Sequence, residues 1–238
     1  MCVNSLVALL QFTTILPLGQ QRDFEAFARR SWLYPLAGYV IGGMAAIGTL
    51  LVGPPLLAAA IAIGLVFLLS GCNHLDGLMD LGDGLMAHGS REKRVAALTD
   101  RQTGTGALAM AVVVTLVSFS SLATVPCMAC ALLIAEVGAK FSMAFLSTFG
   151  SPFREGIHSF IQSRSRPYFP LLAAILCLPL VFLPVSRVAL GTAALTMVLC
   201  PWVLLAISRR LFGGVNGDIV GASNEITRAC VLAVLCLG

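Results

Sequence analysis

Three aspartates, Asp76, Asp80 and Asp83, stand in the run Gly71-Cys72-Asn73-His74-Leu75-Asp76-Gly77-Leu78-Met79-Asp80-Leu81-Gly82-Asp83-Gly84, between stretches apolar enough for a lipid bilayer. Wound as a helix at about 100° per residue, the three carboxylates fall within roughly 60° of one another. Asn73 lies at the edge of that arc and His74 points nearly the opposite way. A charge at mid-bilayer costs about 2.5–3.5 kcal/mol on insertion scales, so three carboxylates on one face call for compensation. Oxygen ligands suit Mg²⁺ or Mn²⁺. A metal bound there would bridge a diphosphate, neutralise a leaving phosphate and orient an incoming hydroxyl. The plainer alternatives are a solvated acidic face or a cation pathway; against them, the acids are interleaved with Leu and Gly rather than with lysines.

Three other segments carry polar chemistry. Thr99-Asp100-Arg101-Gln102-Thr103-Gly104-Thr105-Gly106 leads into an apolar run. It offers backbone N–H groups at a helix start for phosphate, with Arg101 as a clamp, or simply a helix cap. Gly213-Gly214-Val215-Asn216-Gly217-Asp218-Ile219-Val220-Gly221-Ala222-Ser223-Asn224-Glu225 places Asp218 and Glu225 on one helical face, followed by Arg228. Glu136 and Lys140 form an i, i+4 pair inside an apolar span, either as a structural ion pair or lining a cavity. Arg154, just beyond that span, suits phosphate recognition. His88 and His158 lack partner spacing and receive no role.

These residues need a frame. The chain of 238 residues is 58% hydrophobic and 11% charged, with a mean hydropathy of +0.93. Soluble domains are about 45–50% apolar and 25% charged, so the composition is that of a polytopic membrane protein. The expectation is an all-α bundle of about six or seven transmembrane helices in one domain, 1–238, because no polar block is long enough for a separate core. Candidate spans are 33–52, 54–72, 105–125, 127–149, 169–185, 188–208 and 220–238. The stretch 3–16 is too short to cross and suits an interface or the flank of the bundle. Met1 to Leu10 shows no basic leader or cleavage pattern, so no cleavable signal is expected. The eight cysteines, including Cys127 and Cys130, read as small buried residues. The net charge of +4 is dispersed and argues against nucleic acid.

The basic residues give an orientation. With Arg22, Arg29 and Arg30 in the cytoplasm, alternate loops place Arg91, Lys93, Arg94, Arg101, Arg154, Arg164, Arg166, Arg209 and Arg210 there too, and only Arg187 opposite. All three polar segments, 73–104, 150–168 and 209–225, then share the cytoplasmic face of a cell-membrane protein, with the aspartates at the mouth of the bundle.

The run Asn73 to Leu85 closely resembles the signature of the cobalamin-5'-phosphate synthases, the adenosylcobinamide-GDP ribazoletransferases: His-Leu-Asp-Gly-x-x-Asp-x-x-Asp-Gly-Leu. Gln11-Phe12-Thr13-Thr14-Ile15-Leu16-Pro17 is similar to that family's start. Asp100 with Gly104 and Gly106, Arg154-x-Gly156, and Gly213-Gly214-x-x-Gly217-Asp218-x-x-Gly221-Ala222 follow in the family's order, so the resemblance covers nearly the whole chain. Met79 stands where the family often has a smaller residue. The resemblance implies a membrane enzyme that joins adenosylcobinamide-GDP to α-ribazole or its 5'-phosphate and releases GMP. It implies Mg²⁺ on Asp76, Asp80 and Asp83, one of which also takes the hydroxyl proton. Substrate contacts are expected from Asn73, His74, Asp100, Arg101, Gly104, Lys140, Arg154, Asp218 and Glu225. Expected partners are these two substrates, the lipid bilayer and other cobamide-assembly enzymes. Two readings compete: a CDP-alcohol phosphotransferase, whose motif wants Ala-Arg where Asp80-Leu81 stands, and a cation-coupled transporter, which inverted repeats would favour.

Overall fold

A computed structural model describes residues 2–50 and 52–237. Met1, which begins the stretch read for a signal, and Leu51 and Gly238, which belong to two expected spans, lie outside the described residues. The described chain is helical: α1 (Cys2–Thr13), α2 (Phe24–Ala28), α3 (Tyr34–Thr49), α4 (Pro55–Leu69), α5 (Asn73–Met86), α6 (Arg91–Leu98), α7 (Thr105–Thr124), α8 (Met128–Phe149), α9 (Ile157–Gln162), α10 (Phe169–Cys177), α11 (Arg187–Leu211) and α12 (Gly217–Leu237). Short 3₁₀ turns precede α3 and follow α10. The all-α expectation is met.

The span count is lower than expected. Among the described residues, α7, α8, α11 and α12 are long and apolar enough to cross a membrane, and α4 with α5 makes a fifth only if the bent pair is one crossing. The expected span 33–52 is a helix of 16 residues, and 54–72 is one of 15. At 1.5 Å per residue such helices reach roughly 24 Å, short of a core of about 30 Å. The expected span 169–185 breaks at Leu178, where Pro179 ends the regular helix. Hydropathy sees apolar length, but prolines and turns divide it.

The bend between α4 and α5 matters most. Gly71 and Cys72 both take left-handed backbone, with φ of 62° and 59°, and α5 leaves α4 at 93°. Ile15 N–H donates to the Leu69 carbonyl at 2.8 Å, so the segment after α1 ties down the end of α4 beside this corner. Basic side chains close two helix ends near the site. Arg94 Nη1 donates to the Leu85 carbonyl in the last turn of α5 at 2.9 Å, and Arg209 Nη2 to the Phe149 carbonyl at the end of α8 at 2.9 Å. Both satisfy orphan carbonyls where the helix dipole favours a cation.

One feature of the core departs from the sequence expectation, and another bears out the Glu136–Lys140 ion pair that it left open. Cys127 and Cys130 are joined as a disulfide at the start of α8, their Cα atoms 5.4 Å apart, rather than sitting as separate thiols. Lys140 and Glu225 sit deep between α8 and α12 in a four-charge network. Lys140 Nζ donates to Asn224 Oδ1 at 2.7 Å and lies 3.8 Å from Glu136. Arg228 donates to Glu136 at 3.2 Å and also to Glu225, and Asn224 bridges to Glu225 at 3.1 Å. All four charged side chains are buried. Two cations balance two anions, so the network is neutral as a whole and ties α8 to α12 by named contacts.

Removing one partner strands a buried charge. Arg228→Met is expected to lower stability by about 3–5 kcal/mol. Denaturant or thermal unfolding of the protein in detergent checks this; an unchanged midpoint would contradict it.

Candidate active site

The α5 carboxylates take their positions from helices that approach α5 without side chains in the way. A Cβ at Gly77 would run into the backbone carbonyl of Asp218, and one at Gly82 would lie 2.6 Å from the Gly106 carbonyl. Bare backbone at these two points lets α12 and α7 close against α5. The polar loops are joined as well: Val215 N–H donates to the Ser151 carbonyl at 2.8 Å, in a bridge between Pro152 and Val215. That bridge brings Arg154 to Asp218, with Nη2 and Oδ2 3.3 Å apart. Asn216 caps the first turn of α12 by accepting from Ile219 N–H at 3.1 Å, and its amide donates to Asp218 at 2.5 Å.

The result is an open cavity of about 330 Å³ lined by Asp76, Asp80, Asp83, Asp100 and Asp218 with Arg101 and Arg154. Residues expected from three separate segments thus share one wall. Carboxylates outnumber guanidiniums five to two around it. Like charges gathered in a half-buried cleft repel, and a cation relieves them. The donor set is wholly oxygen among the acids, which fits Mg²⁺ or Mn²⁺. Among the described residues no three His, Cys, Asp or Glu groups already stand close enough to hold an ion. Mg²⁺ commonly takes one or two carboxylates and completes its shell with water and substrate phosphate oxygens.

Asp83 has a second duty. Its Oδ2 accepts from Gly104 N–H at 2.8 Å and its Oδ1 from Ala107 N–H at 2.9 Å. It thereby caps α7 from a neighbouring helix. The backbone N–H groups expected to cradle phosphate at this helix start are occupied at these two positions by a carboxylate from the chain itself. Asp100 instead turns its own loop, accepting from Gln102 N–H at 3.1 Å.

The remaining expected residues divide. Asn73 and His74 line a neighbouring cavity of about 390 Å³ that shares Asp76 and Asp218 with the acidic one. Lys140 and Glu225 belong to the buried network and are not among the residues lining the acidic cavity. His158, given no role from sequence, is buried, lines the neighbouring cavity and has Nε2 2.8 Å from the Gly150 carbonyl. Asn216 also went unnoticed as an individual residue. Its position immediately before Gly217-Asp218 was the available signal, since Asn is a favoured helix cap.

Comparison with known proteins then bears on identity. The cobalamin-5-phosphate synthase family model matches residues 5–236. The chain belongs to that family. A relative from Methanococcoides burtonii, named adenosylcobinamide-GDP ribazoletransferase, is 34% identical over 94% of this chain and 88% of its own length. Proteins of the same name from Halorubrum lacusprofundi and Pyrococcus abyssi are 35% and 32% identical, covering 98% and 95% of this chain and 96% and 95% of their own. No solved structure matches the chain. As a cobalamin-5-phosphate synthase family member with several membrane-length apolar helices, the protein is a membrane transferase of cobalamin biosynthesis. The family selects the first of the three readings above.

The two duties of the acids separate experimentally. Asp83→Ala removes two charge-assisted bonds to α7 and is expected to destabilise by about 2–4 kcal/mol. Asp80→Asn, which removes a crowded charge without breaking a hydrogen bond of the fold, is expected to leave the metal-free protein equally or more stable. Unfolding midpoints of the two variants in EDTA check this; equal losses would contradict it.

Proposed function

We propose that the protein joins adenosylcobinamide-GDP to α-ribazole or its 5'-phosphate in a cation-dependent phosphotransfer within the acidic cavity. The observation that supports this reading most is the meeting of five carboxylates and two guanidiniums around one space. A ribose hydroxyl attacks the phosphorus attached to the cobinamide arm. The new O–P bond forms as the bond to the GMP oxygen breaks, GMP departs with that electron pair, and the hydroxyl proton passes to a carboxylate.

Asp76, Asp80 and Asp83 hold Mg²⁺ (or Mn²⁺), Asp83 through the lone pairs its two backbone bonds leave free, and Asp218 completes the set from α12. Bound there, the cation supplies Lewis-acid neutralisation of the diphosphate charge. Arg101 and Arg154 lie on the cavity wall, where their guanidiniums grip phosphate oxygens by paired N–H donors. Asp80, the central acid of the stripe, accepts the hydroxyl proton in this scheme. Lys140 and Glu225 act through the helix pair they tie together rather than by touching substrate. The site faces the cytoplasm of the cell membrane, on the side of the basic loops, where soluble nucleotide substrates and other cobamide-assembly enzymes have access.

The test is turnover by purified protein in liposomes supplied with both substrates. Cobamide and GMP are expected in equal amounts, with Mg²⁺ required. Asp80→Asn is expected to lower kcat at least about a hundredfold. Arg154→Ala is expected to raise KM for adenosylcobinamide-GDP about tenfold. Absence of product from folded wild-type protein with metal present would overturn the reading.

A further inference from the structure

The cavity beside the acidic one has a different chemistry. At about 390 Å³ it falls at the small end of the range of roughly 300–1,000 Å³ for small-molecule sites. That size suits a nucleoside rather than a corrin. Phe12, Met143, Ile157, Ile161 and Val220 supply apolar wall, and no lysine or arginine lines it. A phosphate would find no cation there. An uncharged flat ring would find apolar surface to displace water from.

Both of its histidines carry a ring nitrogen without a partner among the described residues. His74 and His158 are only 6% and 4% exposed, and Nδ1 of each is buried without a hydrogen-bond partner among the described residues. Buried polar atoms are normally paired, by protein, water or ligand. For His158 the tautomer follows from the geometry. Nε2 faces the Gly150 carbonyl at 2.8 Å, and a carbonyl only accepts, so Nε2 carries the proton. Burial lowers the pKa of this ring and keeps it neutral. Nδ1 is then an acceptor awaiting an O–H or N–H. The cavity meets the acidic one at Asp76 and Asp218, which line both.

We propose that this second cavity is the acceptor subsite: it takes the heteroaromatic base and sugar of a nucleoside, a sugar hydroxyl donates to His158 Nδ1, and the attacking hydroxyl is presented at the Asp76–Asp218 wall. The assignment rests on the phosphotransfer reading of the acidic cavity. It divides the substrates by chemistry, with the diphosphate in the charged cavity and the uncharged nucleoside in the apolar one. His158 is a binding residue for the acceptor in this scheme, and His74 gives the same ligand a second polar contact.

The experiment combines direct binding with kinetics on the full-length protein in liposomes or detergent. Ile157→Trp enlarges an exposed lining residue, so it narrows the cavity without touching the core. His158→Gln removes the ring acceptor. Calorimetric binding of α-ribazole to wild type is expected to be lost in Ile157→Trp and weakened about tenfold in His158→Gln, the worth of one hydrogen bond to a buried group. In turnover, both are expected to raise KM for α-ribazole while KM for adenosylcobinamide-GDP stays within about twofold, a difference of under 0.5 kcal/mol. Binding by wild type that is lost in the variants supports the subsite even if no product forms, in which case only the phosphotransfer reading fails. No α-ribazole binding to folded wild type, binding insensitive to both substitutions, or a rise in KM for the corrinoid alone would overturn the proposal.

Discussion

Everything at the candidate site depends on how closely α12 and α7 approach α5. The approach is possible because Gly77 and Gly82 carry no Cβ where the Asp218 and Gly106 carbonyls press in. Backbone contact at these two places puts the first turn of α12 and the first turn of α7 against one acidic helix. Asp218 then faces the α5 carboxylates across a cavity instead of lying a side-chain layer away. The same approach lets Asp83 reach the N–H groups of Gly104 and Ala107 and cap α7 from outside. One residue therefore belongs to the scaffold and the cleft at once.

Charge is handled in two separate ways only a few turns apart. Between α8 and α12, Lys140, Glu136, Arg228 and Glu225 neutralise one another in the dry interior. Such a network holds helices in one register, because displacing either helix would strand ions that burial makes expensive. At the open end the balance is deliberately left incomplete: five carboxylates face two guanidiniums. An internally neutral core and an acid-rich mouth are complementary designs. The first ties α8 to α12, and the second is left with an excess of negative charge that a cation would relieve.

Local information carried the sequence reading where chemistry was periodic. The stripe Asp76, Asp80 and Asp83 was legible because an α-helix repeats every 3.6 residues, and α5 is indeed one helix. The shared face of the three polar segments was legible from alternating loops and their arginines. What failed was non-local or stereochemical. Apolar length overstated the spans because it does not register where helices stop: α3 and α4 run for only 16 and 15 residues, and Pro179 ends α10. The start of α7 reads in sequence as a phosphate cradle or a helix cap, and nothing nearby discloses that Asp83, 21 and 24 residues away, accepts from the N–H groups of Gly104 and Ala107. The pairing of Lys140 with Glu136 was legible from its i, i+4 spacing, but the bond from Lys140 to Asn224, 84 residues distant, was not. His158 was silent for the same reason: its meaning comes from a cavity wall assembled by other helices.

The central claim is that α5 and α12 together form a divalent-cation site. Its most direct test is Mn²⁺ binding followed by electron paramagnetic resonance on protein in detergent, comparing wild type with Asp80→Asn and Asp218→Asn. The account predicts saturable binding in wild type that weakens at least about tenfold in each variant, one carboxylate ligand lost from each helix. Binding unchanged in both, or no saturable binding by folded wild type, would contradict it.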